Sequence, residues 1–465
     1  MKTEETMKAL WQEYCLKSTL HGLRYVAEVK KSIWEKIVWL CLLLMAAVFV
    51  FYHLFACWTL FLAAPIQITI DDPRYPISKI DFPAVTVCPI NKVLYSKALN
   101  LYNRLINKNV SLNSFMNTML IFSLMRYPFY NHPLEFTQFE DIDLYFLENS
   151  NIKDTMLEVM PSIDEVFSHC FWRGNRYNCS ELLRLQYTEE GFCYSFNSKT
   201  AERNSNLNNV PPFMNKNRKL VSLKNNAAGK ITGFEFVLKS LDLEYLPKDK
   251  RIKGFNVMVH NPDDFPDVSK DYMVYTHYRK VFRMSIKATI VTTDESLNTL
   301  NVKQRRCILN HDTENGKLPS LHRKYNHLAK FASNSENNCY TKCRMQAIYE
   351  KCNCTPYFLR LYDKAPYCGI QHIRCLGMIN VLQRNYLSSE EEGFPNWSLP
   401  MYMKCNCLQP CSFISYQTEV RITYSDILYG DNHSLYIDVM YNELYAVKYK
   451  RFLKYNAQDL LGTYM

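Results

Sequence analysis

Seventeen cysteines stand in the 465-residue chain, and from position 339 onward they cluster as Cys339-x3-Cys343, Cys352-x-Cys354, Cys368, Cys375 and Cys405-x-Cys407-x3-Cys411. Thiols so spaced either bind zinc or pair oxidatively. An i, i+4 pair lies on one face of a helix, about 6 Å apart along its axis. An i, i+2 pair lies on one face of a strand, about 6.6 Å apart. The spacings match, so a helix carrying Cys339 and Cys343 can be bolted to an antiparallel strand by joining 339 with 407 and 343 with 405. Zinc needs reduced thiols and is normally a cytosolic solution, so the compartment decides between the two chemistries.

The element that sets the compartment lies near the N-terminus. From Ile37 to Ile70 no side chain is charged, and "IVWLCLLLMAAVFVFYHLFACWTLFL" (37–62) is almost wholly apolar. About 20 residues cross the hydrocarbon core, so the run reads as a transmembrane helix. A signal peptide fits poorly, because 36 residues precede the run and bulky aromatics replace a small-residue cleavage site. His53 and Cys57 within it read as polar atoms bonded to a neighbour or lying near the interface. Arg24, Lys30, Lys31 and Lys36 precede the span, whereas Arg74 and Lys79 follow it, which places the N-terminus in the cytosol. Everything after about residue 63 is then outside.

Two features agree with that placement. Fourteen cysteines fall between Cys88 and Cys411, the even number a disulfide framework requires, so disulfides are the reading adopted. The sequons Asn109-Val-Ser, Asn178-Cys-Ser, Asn396-Trp-Ser and Asn432-His-Ser also lie there as glycosylation candidates, with Asn353-Cys-Thr the weakest of the set.

The middle of the chain is mixed in pattern, which predicts an α+β membrane protein. "SFMNTMLIFSLMRY" (114–127) reads as helix, while "GFEFVLKSL" (233–241), "GFNVMVHNPDDFP" (254–266) and "VFRMSIKATIVTT" (281–293) read as strands. Residues 201–229 form a polar connection. A net charge of +10 is spread without a long run, which argues against a nucleic-acid partner. No phosphate-cradling loop, nucleophile elbow or metal-ligand set stands out, so the chain reads as neither an enzyme nor a cofactor protein. His21-Gly22, in "CLKSTLHGLRYV" (15–26), would alone be a surface turn.

Together a pre-membrane His-Gly, the span, "FPAVTVCPINK" (82–92), "GFCYSFN" (191–197), "GFNVMVHNPDDFP" and "CYTKCRMQAIYEKCNCTPYF" (339–358) resemble the degenerin/epithelial sodium channel superfamily, most like its insect pickpocket branch. The resemblance implies a trimer, homomeric or with family subunits, whose subunits carry two membrane helices and a large disulfide-rich mixed α/β ectodomain of hand-like form. It implies seven bridges over all fourteen cysteines: Cys88 to Cys193, Cys170 to Cys179, Cys307 to Cys411, Cys339 to Cys407, Cys343 to Cys405, Cys352 to Cys375 and Cys354 to Cys368. It also implies that His21 and Gly22 form a gating motif at the cytosolic mouth of the pore, where Gly22 can take backbone conformations other residues avoid.

The resemblance divides the chain into a cytosolic N-terminus (1–36), a first membrane helix (37–62), an extracellular domain (63–445) and an approach (446–465) to a second membrane helix. The family's second helix carries a Gly-x-Ser selectivity sequence, and the chain stops at "DLLGTYM" (459–465), where that helix would begin. The sequence given therefore reads as lacking it, and alone it is expected to carry no sodium-selective current. The implied function is a plasma-membrane subunit of a sodium-selective, amiloride-sensitive type channel opened by an external ligand or mechanical cue. Sodium ions and membrane lipid are its implied partners, and no cofactor is called for. The alternative is a non-conducting single-pass glycoprotein that binds or regulates complete family subunits.

Overall fold

The computed structural model describes residues 2–105, 111–130, 150–202, 222–309, 335–358, 366–387, 403–424 and 434–454, with Asp312, except for 21, 29, 64–65, 128, 267, 269–270, 276–279, 384–385 and 406. The chain divides into two compact units. One comprises residues 1–67, 299–305 and 452–465, the other 68–298 and 306–451.

In the first unit α1 (Lys2–Lys17), α2 (Leu23–Ala27) and α3 (Ile33–Ala63) follow one another. Ser32 starts α3 by accepting the Glu35 backbone N–H at 3.3 Å, and Glu35 itself complements the positive N-terminal end of the helix. This cap places the start four residues before the expected 37. The segment Ile33–Ala56 has mean hydropathy 2.5 and none of it is buried within the protein. A helix so apolar and so little covered is long enough to cross a membrane.

The second unit holds two main sheets. Its strands are β1 (Ile66–Pro76), β2 (Ala84–Pro89), β3 (Phe167–Trp172), β4 (Asn175–Tyr177), β5 (Leu183–Thr188), β6 (Gly191–Phe196), β7 (Phe234–Leu238) and β8 (Gly254–His260). They continue with β9 (Asp271–Tyr275), β10 (Lys280–Thr293), β11 (Tyr386–Leu387), β12 (Met403–Lys404), β13 (Phe413–Tyr424), β14 (Leu435–Tyr441) and β15 (Tyr445–Leu453). The larger sheet runs β1-β15-β10-β14-β7-β3-β4, with β13 also on β10, and the smaller runs β5-β6-β2-β8-β9.

Strand β10 organises the larger sheet. Along one edge it pairs antiparallel with β13 from Lys280 to Val291. Its other edge is shared, with β14 parallel to residues 281–286 and β15 parallel to residues 289–293. Residues 446–453, read from sequence as an approach to a membrane helix, thus lie in a sheet strand. Lys448 pairs with Asp71 at 2.5 Å and Lys450 with Asp294 at 2.6 Å, tying β15 to β1 and to the end of β10. Residues 455–465 lie outside the described residues.

In the smaller sheet β2 and β6 are buried at every position, Thr86 and Ser195 included, so both faces of these strands are covered. An aromatic joint holds the sheets together. Phe82 contacts Trp172 at 4.9 Å and Tyr441 at 5.3 Å between ring centroids, and Phe196 of β6 stacks on Phe234 of β7 at 4.0 Å. Within the larger sheet Gly233 lets the start of β7 lie close against β14, since a Cβ there would lie 2.0 Å from the Val439 carbonyl oxygen.

Helices α4 (Tyr95–Leu105), α5 (Leu112–Leu124) and α6 (Ile152–Val159) pack on one another beside the sheets. Ser111 caps α5 by accepting the Ser114 N–H at 3.1 Å. The helix ends three residues before the expected 127, because Met125 leaves helical geometry and Arg126 is buried, 1% exposed. Two later helices, α7 (Glu336–Cys352) and α8 (Ile373–Gln383), carry four of the nine clustered cysteines, Cys339, Cys343, Cys352 and Cys375. Ser335 caps the first turn of α7 and Asn353, at φ 56°, closes its last.

Candidate functional site

Gly22 is buried, with φ 94° and ψ −27°, a region that costs any residue bearing a Cβ. A Cβ built there would meet Trp39 Cε3 and Leu43 Cδ2 of α3, each at 3.3 Å. The turn delivers α2 onto α3, where the Tyr25 ring stacks on Trp39 at 4.6 Å and Lys31 lies 5.6 Å from the Tyr25 ring centre. Gln12 of α1 donates to the Ala27 carbonyl at 3.3 Å, and Cys15 beside it is buried. Trp39 lies six residues into α3, about 9 Å along its axis. The turn therefore packs on the apolar part of the membrane helix. His21 lies outside the described residues.

The cysteines of the second unit are joined in seven bridges. Cys88 meets Cys193 with Cα atoms 4.6 Å apart, Cys170 meets Cys179 at 5.2 Å, and Cys307 meets Cys411 at 4.9 Å. Cys339 and Cys343 on α7 meet Cys407 and Cys405 at 5.6 and 6.1 Å. The last two are Cys352 with Cys375 at 5.8 Å and Cys354 with Cys368 at 4.9 Å. Cys405 and Cys407 do not sit on a strand, as the spacing argument supposed. β12 ends at Lys404, before both, and the Cys407 N–H donates to the Cys405 carbonyl at 2.9 Å. Cys15 and Cys41 are free thiols.

Of the sequons, Asn178 is exposed and its side chain accepts the Ser180 N–H at 3.3 Å, at the lip of the Cys170–Cys179 hairpin. Asn353 is exposed at the end of α7. Asn109, Asn396 and Asn432 lie outside the described residues.

Buried charge is the feature that sequence reading missed. Arg344 of α7 donates from Nε and Nη2 to both oxygens of Glu189 at 2.6 and 2.7 Å, fastening the helix to the β5–β6 turn. The adjacent Glu190 faces Arg126 Nη1 at 3.6 Å and accepts from Asn256 at 2.5 Å. Lys92, buried beside them, has its amine pushed well below the usual lysine range by desolvation and by Arg126. In the larger sheet Glu235 and Asp438 stand at paired positions of β7 and β14, both buried. The one signal available was Glu235 within the apolar "GFEFVL".

The family profile described as amiloride-sensitive sodium channel matches residues 14–464. Pickpocket protein 19 of Drosophila melanogaster is 22% identical over 457 residues, covering 96% of this chain and 84% of that protein. Sodium channel protein Nach of the same species is 23% identical over 434 residues, covering 89% and 73%. Epithelial sodium channel subunit gamma of Pan troglodytes is 22% identical over 428 residues, covering 88% and 64%.

Proposed function

The chain belongs to the amiloride-sensitive sodium channel family, a family of channels rather than enzymes, and from that premise we propose that it is a subunit of a sodium-selective, amiloride-sensitive cation channel of the plasma membrane. It assembles with two further family subunits, identical or different, around a common pore through which sodium passes. Its N-terminus is cytosolic and its disulfide-rich unit faces outside, where an external ligand or mechanical stimulus acts. An oxidising exterior suits the seven bridges, and the excess of Lys and Arg before α3 suits a cytosolic start.

The observation that carries the reading is the Gly22 turn packed on Trp39 and Leu43 of the membrane helix. A backbone turn in the left-handed region, seated on the helix one to three turns from its start, couples the N-terminal segment to any tilt or rotation of α3. Opening then requires the turn and the helix to move together, which is how a short cytosolic motif biases a pore between two states.

The test is expression in oocytes with a complete family subunit, under voltage clamp, with and without amiloride and with sodium replaced by a large organic cation. Expected are co-purification of the two subunits and a changed amplitude of the amiloride-sensitive sodium current. Surface-expressed protein that neither co-purifies nor alters any family current would overturn the proposal.

A further inference from the structure

Helix α1 has two unlike faces. Gln12 and Cys15 turn toward α2, one bonded to the Ala27 carbonyl and the other 1% exposed. Leu10, Trp11 and Tyr14 are 63%, 62% and 60% exposed, and their i, i+3 and i, i+4 spacings set them in one stripe, with the Trp11 and Tyr14 rings 6.2 Å apart. Three large side chains on one helix stripe cost free energy in water and match the amphipathic rings that populate membrane–water interfaces.

The level at which α1 is held says what covers this stripe. Ala27, which anchors Gln12, precedes the first residue of α3 by six positions, and the helix it ends packs on Trp39, six residues into α3. The stripe is therefore tied close to the point where the chain enters the apolar medium. Charge agrees with a lipid partner, since residues 10–36 hold Lys17, Arg24, Lys30, Lys31 and Lys36 against Glu13, Glu28 and Glu35. That excess favours an anionic leaflet.

We infer that the Leu10–Trp11–Tyr14 stripe is seated in the headgroup region of the leaflet that α3 enters, making α1 a surface-bound helix that anchors the N-terminal segment to the bilayer. The inference rests on the orientation proposed above only for calling that leaflet cytosolic. The test below reads both leaflets and separates failure of the two.

The full chain is labelled with 5-fluorotryptophan and reconstituted in nanodiscs of phosphatidylcholine and phosphatidylserine, with the Trp11 resonance assigned by Trp11→Phe. Fluorine spectra are recorded with lipid carrying a nitroxide near the headgroup, with lipid carrying it at the chain terminus, and with a water-soluble gadolinium chelate. Expected is strong broadening of Trp11 by the first, weaker broadening by the second and little by the third. Broadening by the chelate without broadening by either lipid overturns the inference, as does protection from all three, which would mean that a second copy or another part of the protein covers the stripe. In hydrogen exchange of the same nanodiscs, Leu10→Gln/Trp11→Gln/Tyr14→Gln should speed exchange of residues 10–17 by roughly tenfold while leaving α3 unchanged. Unaltered exchange in α1 also overturns it.

Discussion

Glu235 of β7 and Asp438 of β14 occupy directly paired positions across an antiparallel ladder, so two buried carboxyl groups share one spot in the sheet. Tyr436 donates to one Glu235 oxygen, while Arg283, paired with Asp438 from β10, gives its Nη1 to Thr423 at 2.9 Å. Burial and then the charge of Glu235 hold Asp438 at about 6, opposed by the Ile231 N–H, Arg283 and Lys230, and burial raises Glu235 as well.

A carboxyl raised in the folded state binds protons there that the unfolded chain, titrating near about 4, has already lost. Stability therefore falls as pH rises from about 4 to about 6 and stays at the lower level above. Thermal melts of the protein should show a higher Tm at pH 5 than at pH 7.4. Asp438→Asn should raise the Tm at pH 7.4 by a few degrees and remove most of the pH effect. An unchanged pH profile in the variant would assign the effect elsewhere.

At Gly22 the expected effect is on gating. Gly22→Val adds a branched side chain at φ 94° and drives it into Trp39 and Leu43, so the closely packed turn must loosen. In channels formed with a complete family subunit, open probability in single-channel records should fall at least severalfold, with surface biotinylation unchanged. Gly22→Ala should lie between. Equal open probability for all three would remove the turn from gating.

The Cys339–Cys407 and Cys343–Cys405 bridges form two rungs between the same segments. With one rung intact, the other closes an effective loop of only about 8 residues, worth about 2–3 kcal/mol in the loop-entropy picture. Once the first is gone, the loop that the second closes lengthens to roughly 40 residues, worth about 4 kcal/mol. Denaturant melts of Cys343→Ser/Cys405→Ser and of the variant lacking all four cysteines should therefore show that the second rung costs more to lose than the first. Equal decrements would indicate residual structure in the unfolded chain.

Arg344 and Glu189 form a buried bidentate pair, and removing one partner strands the other charge. Arg344→Met should destabilise by about 3–5 kcal/mol. Adding Glu189→Gln should recover part of that loss, and the double-mutant cycle measures how much. Strict additivity would contradict the pairing.

What the sequence makes legible is whatever depends on nearby residues. The α3 span needs only an apolar run, β10 only the pattern of "VFRMSIKATIVTT", and Cys339 with Cys343 only a helical spacing. The strand expected at Cys405 and Cys407 stops at Lys404, because an i, i+2 spacing does not by itself require strand geometry. Glu235 illustrates the limit: alternation in β7 separates its neighbours Phe234 and Phe236 onto one face and says nothing of what covers the other. Its burial opposite Asp438 depends on strands some 200 positions apart in the chain. For the same reason Gly22 shows in sequence only as a turn former, while Trp39 and Leu43 give that turn a surface to press on.

The bridges of the cysteine-rich segment are nested: Cys354–Cys368 lies within Cys352–Cys375, that within the two rungs, and all within Cys307–Cys411. A protease that severs any one peptide bond between Cys307 and Cys411 thus releases no fragment. The nicked protein runs as one species on a non-reducing gel and separates into two pieces only after thiol treatment. Scission in this stretch removes the mechanical continuity of a single backbone while every part stays tethered, so cleavage can change the compliance of the disulfide-rich unit without shedding it.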